Sequence, residues 1–324
     1  MKDELLLEAK NAENAGDLYK AIDLYKKLLE IEENNIKFLY RLGLLNYQVG
    51  NYNQAIDYYD KVLKNNPNFV DAILSKGNAF YALNNYNQAL DLYNKSLEIE
   101  NNNSLIYLVI ASVYIKLNNI NKAREALETS FKINPSNPRT AQTLLYLYLS
   151  LNEVDKALKL FDMISEYPEL VPFISKTLAL YFQETGNNAK AIEYYSKSIK
   201  YDEFDPIVEY NLAICQIQEE QYSKAQMTLR KIIKKDPNNA RAFYQLGNVY
   251  QIQKQFDLAK EAYENAIKLD KSIYPAYFAL GEMHFKNKRY KRALEYFNEC
   301  KSISKDSEVI NIINDYISQI PDFK

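Results

Sequence analysis

The residues that could do chemistry are few and scattered. The chain has one histidine, His284, and two cysteines, Cys215 and Cys300. A lone imidazole can serve as a general base or a metal ligand, but it needs partners at set spacing. No HExxH or CxxC pattern supplies them. His284 is therefore read as a packing residue, and the cysteines as reduced, buried thiols of a cytoplasmic protein. The nearest two glycines are Gly43 and Gly50, so no loop can cradle a phosphate, and no GxSxG elbow exists. Two charge clusters remain. "YDEFDP" (residues 201–206) with Glu209 could chelate a cation, but it lacks calcium-loop spacing and reads as a solvated turn. "KNKRYKR" (residues 286–292) could hold phosphate or RNA. With 40 basic against 42 acidic side chains and a net charge of −2, it reads as a solvated face. No enzyme activity, cofactor, metal or nucleic-acid partner is expected.

The elements that would position any site are announced by repetition. "GNYNQAIDYY" at residues 50–59 returns as "NNYNQALDLY" at 84–93 and as "GNNAKAIEYY" at 186–195, always at multiples of 34 residues. Rows of 34 begin at Lys2, Ile36, Val70, Ser104, Pro138, Pro172, Pro206, Ala240 and Tyr274, with no insertion. Position 20 of every row is Ala, from Ala21 and Ala55 to Ala293. Four residues on stands a large apolar group, such as Tyr25, Tyr59, Leu127 or Phe297. That spacing puts a methyl and a ring on one helix face, as two closely approaching helices require.

Breakers delimit the helices. The seven glycines occupy two row positions only: Gly43, Gly77, Gly247 and Gly281 at position 8, and Gly16, Gly50 and Gly186 at position 15. A position-15 Gly, or Asn at 84, 118 and 152, can take the left-handed conformation that ends a helix. A Gly inside a helix costs ~1 kcal/mol against Ala, which makes sense only where something approaches closely. Eight of nine prolines fall between position 31 and position 2 of the next row, where helices stop and start. Each row is thus helix A, a turn, helix B and a turn. The expected turns lie near residues 50, 84, 118, 152, 186, 220, 254 and 288.

This pattern resembles the tetratricopeptide repeat. Leu42-Gly43, Leu246-Gly247 and Leu280-Gly281 carry its Leu-Gly pair; Tyr114, Tyr148 and Tyr250 its aromatic; Pro67, Pro135 and Pro237 its final proline. No Trp is present, and Leu39, Phe243 and Tyr277 stand where the family's Trp would be. Rows one, six and seven depart from the pattern in helix A, and Asn188 replaces an apolar residue at position 17; those rows are expected to be looser or bent. The resemblance implies an all-α, right-handed superhelix (an α-solenoid) of antiparallel helix pairs over 2–305. Residues 308–320, with Val309, Ile312, Ile313, Tyr316 and Ile320 on one stripe, are expected to cap it.

In such superhelices helix A lines the inner wall, with positions 2, 5, 9 and 12 facing the groove. Here that names Tyr40, Leu44, Tyr47, Leu74, Asn78, Tyr81, Leu108, Ile115, Tyr210, Ile214, Tyr244, Asn248 and Phe278 as groove residues for a protein or peptide partner. The alternative places positions 5 and 9 in the core between helices. The family's carboxylate clamp is not expected, because Leu74, Val109, Tyr244 and Ala279 interrupt its Lys and Asn pattern. A non-enzymatic scaffold is the leading expectation. Self-assembly through the apolar "LLL" at 5–7 is one rival; a targeting arm for a catalytic chain, as in O-linked glycosyltransferases, is the other. No run is apolar enough to span a membrane, and the acidic start "MKDELLLEAK" is unlike a signal peptide.

Overall fold

Nine turns of identical hydrogen bonding divide the chain into helix pairs. In each, position 15 has positive φ: Gly16, Gly50, Asn84, Asn118, Asn152, Gly186, Glu220, Lys254 and Lys288. Around Gly50, its N–H bonds to Tyr47 O (3.1 Å) and Asn51 N–H to Asn46 O (2.8 Å). These two bonds satisfy the helix's last carbonyls, which a right-handed residue there would leave open. The same pair recurs at Lys254 and Gln255, where no glycine relieves the strain. Left-handed geometry costs an L-residue roughly 1–2 kcal/mol, partly offset by glycine's greater freedom when unfolded. Glu220→Gly and Lys254→Gly should therefore each stabilise the protein by ~0.5–1 kcal/mol. Urea unfolding of the two variants checks this; an unchanged or lower midpoint would contradict it.

The computed structural model describes residues 2–201 and 204–321. Among these, all regular elements are α-helices. The chain divides after Ile164 into two compact units. The first holds α1 (Lys2–Asn14), α2 (Leu18–Ile31), α3 (Ile36–Gln48), α4 (Tyr52–Asn65), α5 (Val70–Ala82), α6 (Tyr86–Ile99), α7 (Ser104–Lys116), α8 (Ile120–Ile133), α9 (Pro138–Ser150) and α10 (Val154–Ile164). The second holds α11 (Val171–Glu184), α12 (Asn188–Tyr201), α13 (Pro206–Gln218), α14 (Tyr222–Lys235), α15 (Ala240–Ile252), α16 (Phe256–Leu269), α17 (Tyr274–Lys286), α18 (Tyr290–Ile303) and α19 (Ser307–Ser318). Within each unit, every helix packs on its neighbours in the chain.

The core is built from the row pattern. All nine position-20 alanines are fully buried, and the large groups four residues on are at most 6% exposed. Position 8 explains the glycines. A Cβ on Gly77 would lie 2.6 Å from Cε1 of Tyr93, and one on Gly281 2.5 Å from Cε1 of Phe297. In these rows the ring of helix B lies so close to the backbone of helix A that a Cβ would have to displace it, whereas rows one and six carry Ala9 and Ala179 in the same register as Tyr25 and Tyr195. Rows four and seven solve the same contact with Ala111 against Leu127 and Ala213 against Leu229.

Capping between rows falls to Asn and Asp. Asn35 accepts from the N–H groups of Lys37 and Phe38, Asn103 from Leu105, and Asn239 from Ala242. In some rows a small polar residue at position 27 ties the pair together: Ser130 Oγ donates to Ser104 O (2.8 Å) and Ser198 Oγ to Pro172 O (3.0 Å). Cys300 does the same, its Sγ 3.3 Å from Tyr274 O. Burial pushes the Cys215 and Cys300 thiols up to about 11, so both stay protonated and unreactive.

The expectation of looseness in rows one, six and seven does not hold. α1, α11 and α13 are unbroken helices of 13, 14 and 13 residues. The irregular row is the fifth, where α10 has 11 residues against 14 in α8 or α12. Pro168 stands just beyond the end of α10. It excludes Tyr167 from helical geometry one position earlier than Pro135 or Pro237 act in their rows.

The stripe expected on the terminal helix packs at Val309, Ile313 and Tyr316, with Ile317 in addition and without Ile312. Ile313 is fully buried, and Val309, Tyr316 and Ile317 pack beside it on Phe297 and Cys300. Ile312 is instead exposed. At the other end, Leu5 and Leu6 pack on their own row's core and only Leu7 is exposed.

Candidate functional site

Helix A of rows two, three and eight presents a mixed aromatic and carboxamide or aliphatic face. In the first unit, Tyr40, Leu44, Tyr47, Leu74, Asn78 and Tyr81 are all half-buried. The rings are braced by neighbours: Tyr47 by Tyr52 at 5.4 Å, Tyr81 by Tyr86 at 5.5 Å, and Tyr40 by Phe69 at 5.1 Å. Tyr40 Oη also meets Ser75 Oγ of the next row at 3.2 Å. Tyr93 Oη donates to Asn78 Oδ1 at 2.6 Å and sets the orientation of that amide. Burial raises the hydroxyl pKa values of Tyr40, Tyr47 and Tyr81, so these groups are neutral donors at physiological pH.

One of the two residues expected on this wall from row four is placed differently. Leu108 is only 5% exposed and belongs to the core. The reason is that α7, "SLIYLVIASVYIK", is apolar all round, so it buries more than one stripe. Ile115, the penultimate residue of α7, is 37% exposed, as expected.

The second unit carries the better-ordered polar set. Tyr263 Oη lies 2.8 Å from both Asn248 Oδ1 and Gln251 Oε1. Asn248 Nδ2 donates to Gln245 Oε1 (3.0 Å), and Gln245 Nε2 donates to Tyr210 Oη of the preceding row (3.3 Å). Tyr210, Ile214, Tyr244 and Asn248 are half-buried around this chain of bonds, and Ile207 beside them is 64% exposed. Asn248 has a second amide N–H that no described residue takes up. Such a set holds side chains still while leaving donors for a partner's backbone.

Phe278 is half-buried, like Tyr40 and Tyr244. Its ring lies 6.1 Å from Phe297 and 6.1 Å from Tyr316 of α19, so the terminal helix shields one side of it. Tyr316 Oη donates to Glu282, which with burial pushes its pKa up to about 12. The apolar stripe of 308–320 announced a helix packed on the last row, but not which of that row's rings Tyr316 would meet.

The acidic cluster is occupied by structural work. Asp205 caps α13 by accepting from Ile207 and Val208 N–H, and its other oxygen meets Lys176 at 2.7 Å. Against the desolvation of its site, these partners hold its carboxyl below the usual range. Glu209 is 1% exposed and paired with Lys231. Asp202 and Glu203 lie outside the described residues.

With this geometry in place, comparison with known proteins is informative. The family model "Tetratricopeptide repeat protein 21 second ARM domain" matches residues 20–288, and the model "Tetratricopeptide repeat" matches residues 274–307. The chain belongs to the tetratricopeptide-repeat family. No curated protein matches it. Solved structures similar to this tetratricopeptide-repeat chain include MamA from Desulfovibrio magneticus, at 21% identity over 51% of this chain and 93% of that one, TM-score 0.46. Another is a tetratricopeptide repeat protein from Parabacteroides merdae, at 18% identity over 80% and 98%, TM-score 0.49. A third is the C-terminal part of a repeat-containing protein from Cytophaga hutchinsonii, at 16% over 84% and 98%, TM-score 0.48. The tetratricopeptide fold is one typical of protein-interaction scaffolds. Among the described residues no helix is long and apolar enough to cross a membrane.

Proposed function

We propose that the protein is a non-enzymatic scaffold that binds an extended protein segment along the helix-A faces of its repeats. The observation that carries this is the Tyr210–Gln245–Asn248–Tyr263 chain of hydrogen bonds, which fixes polar side chains at the surface beside exposed Ile207. Fixed amides can pair with a partner's backbone, and half-buried rings offer contact area at low entropic cost. The tyrosines and Asn78 of rows two and three would serve the first unit in the same way. Self-assembly through α1 has less to work with, since Leu5 and Leu6 are already packed.

Asn248→Ala separates binding from folding. Tyr263 Oη keeps Gln251 as its acceptor, so stability should change by less than about 1 kcal/mol. Peptides selected from a random displayed library against the wild-type protein should bind this variant at least about tenfold more weakly. Selected peptides that ignore Asn248→Ala, Tyr210→Ala and Ile207→Ala alike would contradict the assignment of this wall.

A further inference from the structure

The basic run at 286–292 borders a cleft of about 540 Å³ in the second unit. Lys260 of α16, Lys286 of α17 and Arg289, which caps α18, line it, against one carboxylate, Asp257. Phe256 and Met283 give it apolar walls. His284 lines it too. That ring is 4% exposed and stacks on Tyr296 at 5.4 Å with 13° between planes, yet no described residue hydrogen-bonds either ring nitrogen.

The surrounding charge is unevenly matched. Lys260 lies 3.6 Å from Glu264, and Lys286 3.8 Å from Glu282. Arg289 and Arg292 meet no carboxylate within ion-pair distance among the described residues, and both bear on His284. A buried donor without an acceptor, beside two unmatched guanidinium groups, is a poor arrangement for a core and a good one for an anion.

We propose that this cleft binds a phosphate group, free or carried as a monoester. Lys260, Lys286 and Arg289 supply the counter-charge, and the neutral His284 ring supplies an N–H. Guanidinium forks match phosphate oxygens in pairs. The apolar walls of Phe256 and Met283 would contact the body of an ester. Burial first, then the charges of Lys260, Arg289 and Arg292, hold the His284 pKa below its ordinary value, with Glu264 opposing them. An arriving dianion reverses that field, so His284 itself reports occupancy.

Because His284 is the only histidine, its ring resonance is unique in the spectrum of the untagged full chain. That resonance is followed by NMR against inorganic phosphate, phenyl phosphate and, as a neutral control, phenol. The expected result is a saturable shift with phosphate ligands, a rise in the His284 pKa on saturation, and at least about tenfold weaker binding in Arg289→Gln/Lys260→Gln. Tighter phenyl phosphate assigns the ester; equal affinities assign free phosphate. No saturable shift, an equal shift with phenol, or an unchanged affinity in the double variant would overturn the proposal. Lys286→Gln, whose side chain is exposed, repeats the test if the double variant unfolds. Asn248→Ala should leave this titration unchanged, so the two sites fail or succeed separately.

Discussion

Gly281→Ala should destabilise the second unit, although Gly→Ala inside a helix ordinarily stabilises. The propensity gain is ~1 kcal/mol. Against it, the new Cβ would stand 2.5 Å from Cε1 of Phe297, a ring that is fully buried. Overpacking of this kind costs typically ~1–3 kcal/mol, and more where the neighbour cannot swing away. Phe297 is held between α17 and the stacked ring of Tyr316 at 5.3 Å, so it has little room to move. The steric term should win, with a net loss of ~1–2 kcal/mol. The sharper expectation is rescue. Gly281→Ala with Phe297→Leu recreates the pairing found in rows four and seven, and it should recover part of the loss. Phe carries no hydroxyl, so the exchange breaks no hydrogen bond. Urea unfolding of the two singles and the double forms a cycle. If the double were the sum of the singles, the ring-on-backbone account of position 8 would be wrong.

Removing residues 306–324 should have a larger effect, confined to one end. The deletion takes away Ile313, which is fully buried, with Val309, Tyr316 and Ile317 beside it. It uncovers Phe278, Phe285 and Phe297, against all of which Tyr316 packs. Each fully buried aliphatic group lost is worth ~1.5–3 kcal/mol, and Ile→Ala at a core site alone ~2–5 kcal/mol. The α17–α18 pair should then open. Its amides should exchange with solvent much faster, and the exposed apolar face should drive aggregation. Contacts in a repeat stack are local, so the first unit should be unaffected. Exchange measured by mass spectrometry across 274–303 and across 2–164 separates the two regions. Protection unchanged at 274–303 would mean that α19 contributes nothing to the end of the stack. Ile313→Ala gives the same test in milder form.

The row register was legible because it rests on exclusions that act locally. Ala at position 20 and a large group at position 24 are spaced by the helix itself, and a breaker's effect needs no neighbour. Even the left-handed turns at Glu220, Lys254 and Lys288 follow, since their place in the register demands them where their residue type does not. The candidate wall was legible only as a list of residues sharing a face. How much of that face stays open depends on how far the next row slides over it. Leu108 went to the core, while Tyr40, Asn248 and Phe278 remained half-open. Helical period says which side chains point together, whereas rotation between rows comes from long-range packing.

Sequence alone thus determined an all-α repeat of helix pairs, its boundaries and its buried Ala-and-ring seam, because each follows from short-range sterics and 3.6-residue geometry. Tertiary structure alone decided the division after Ile164, the hydrogen-bond chain from Tyr210 to Tyr263, and the unpaired ring of His284 among Lys260, Arg289 and Arg292. Those depend on residues from different rows meeting in space, and a one-row pattern holds no record of such meetings.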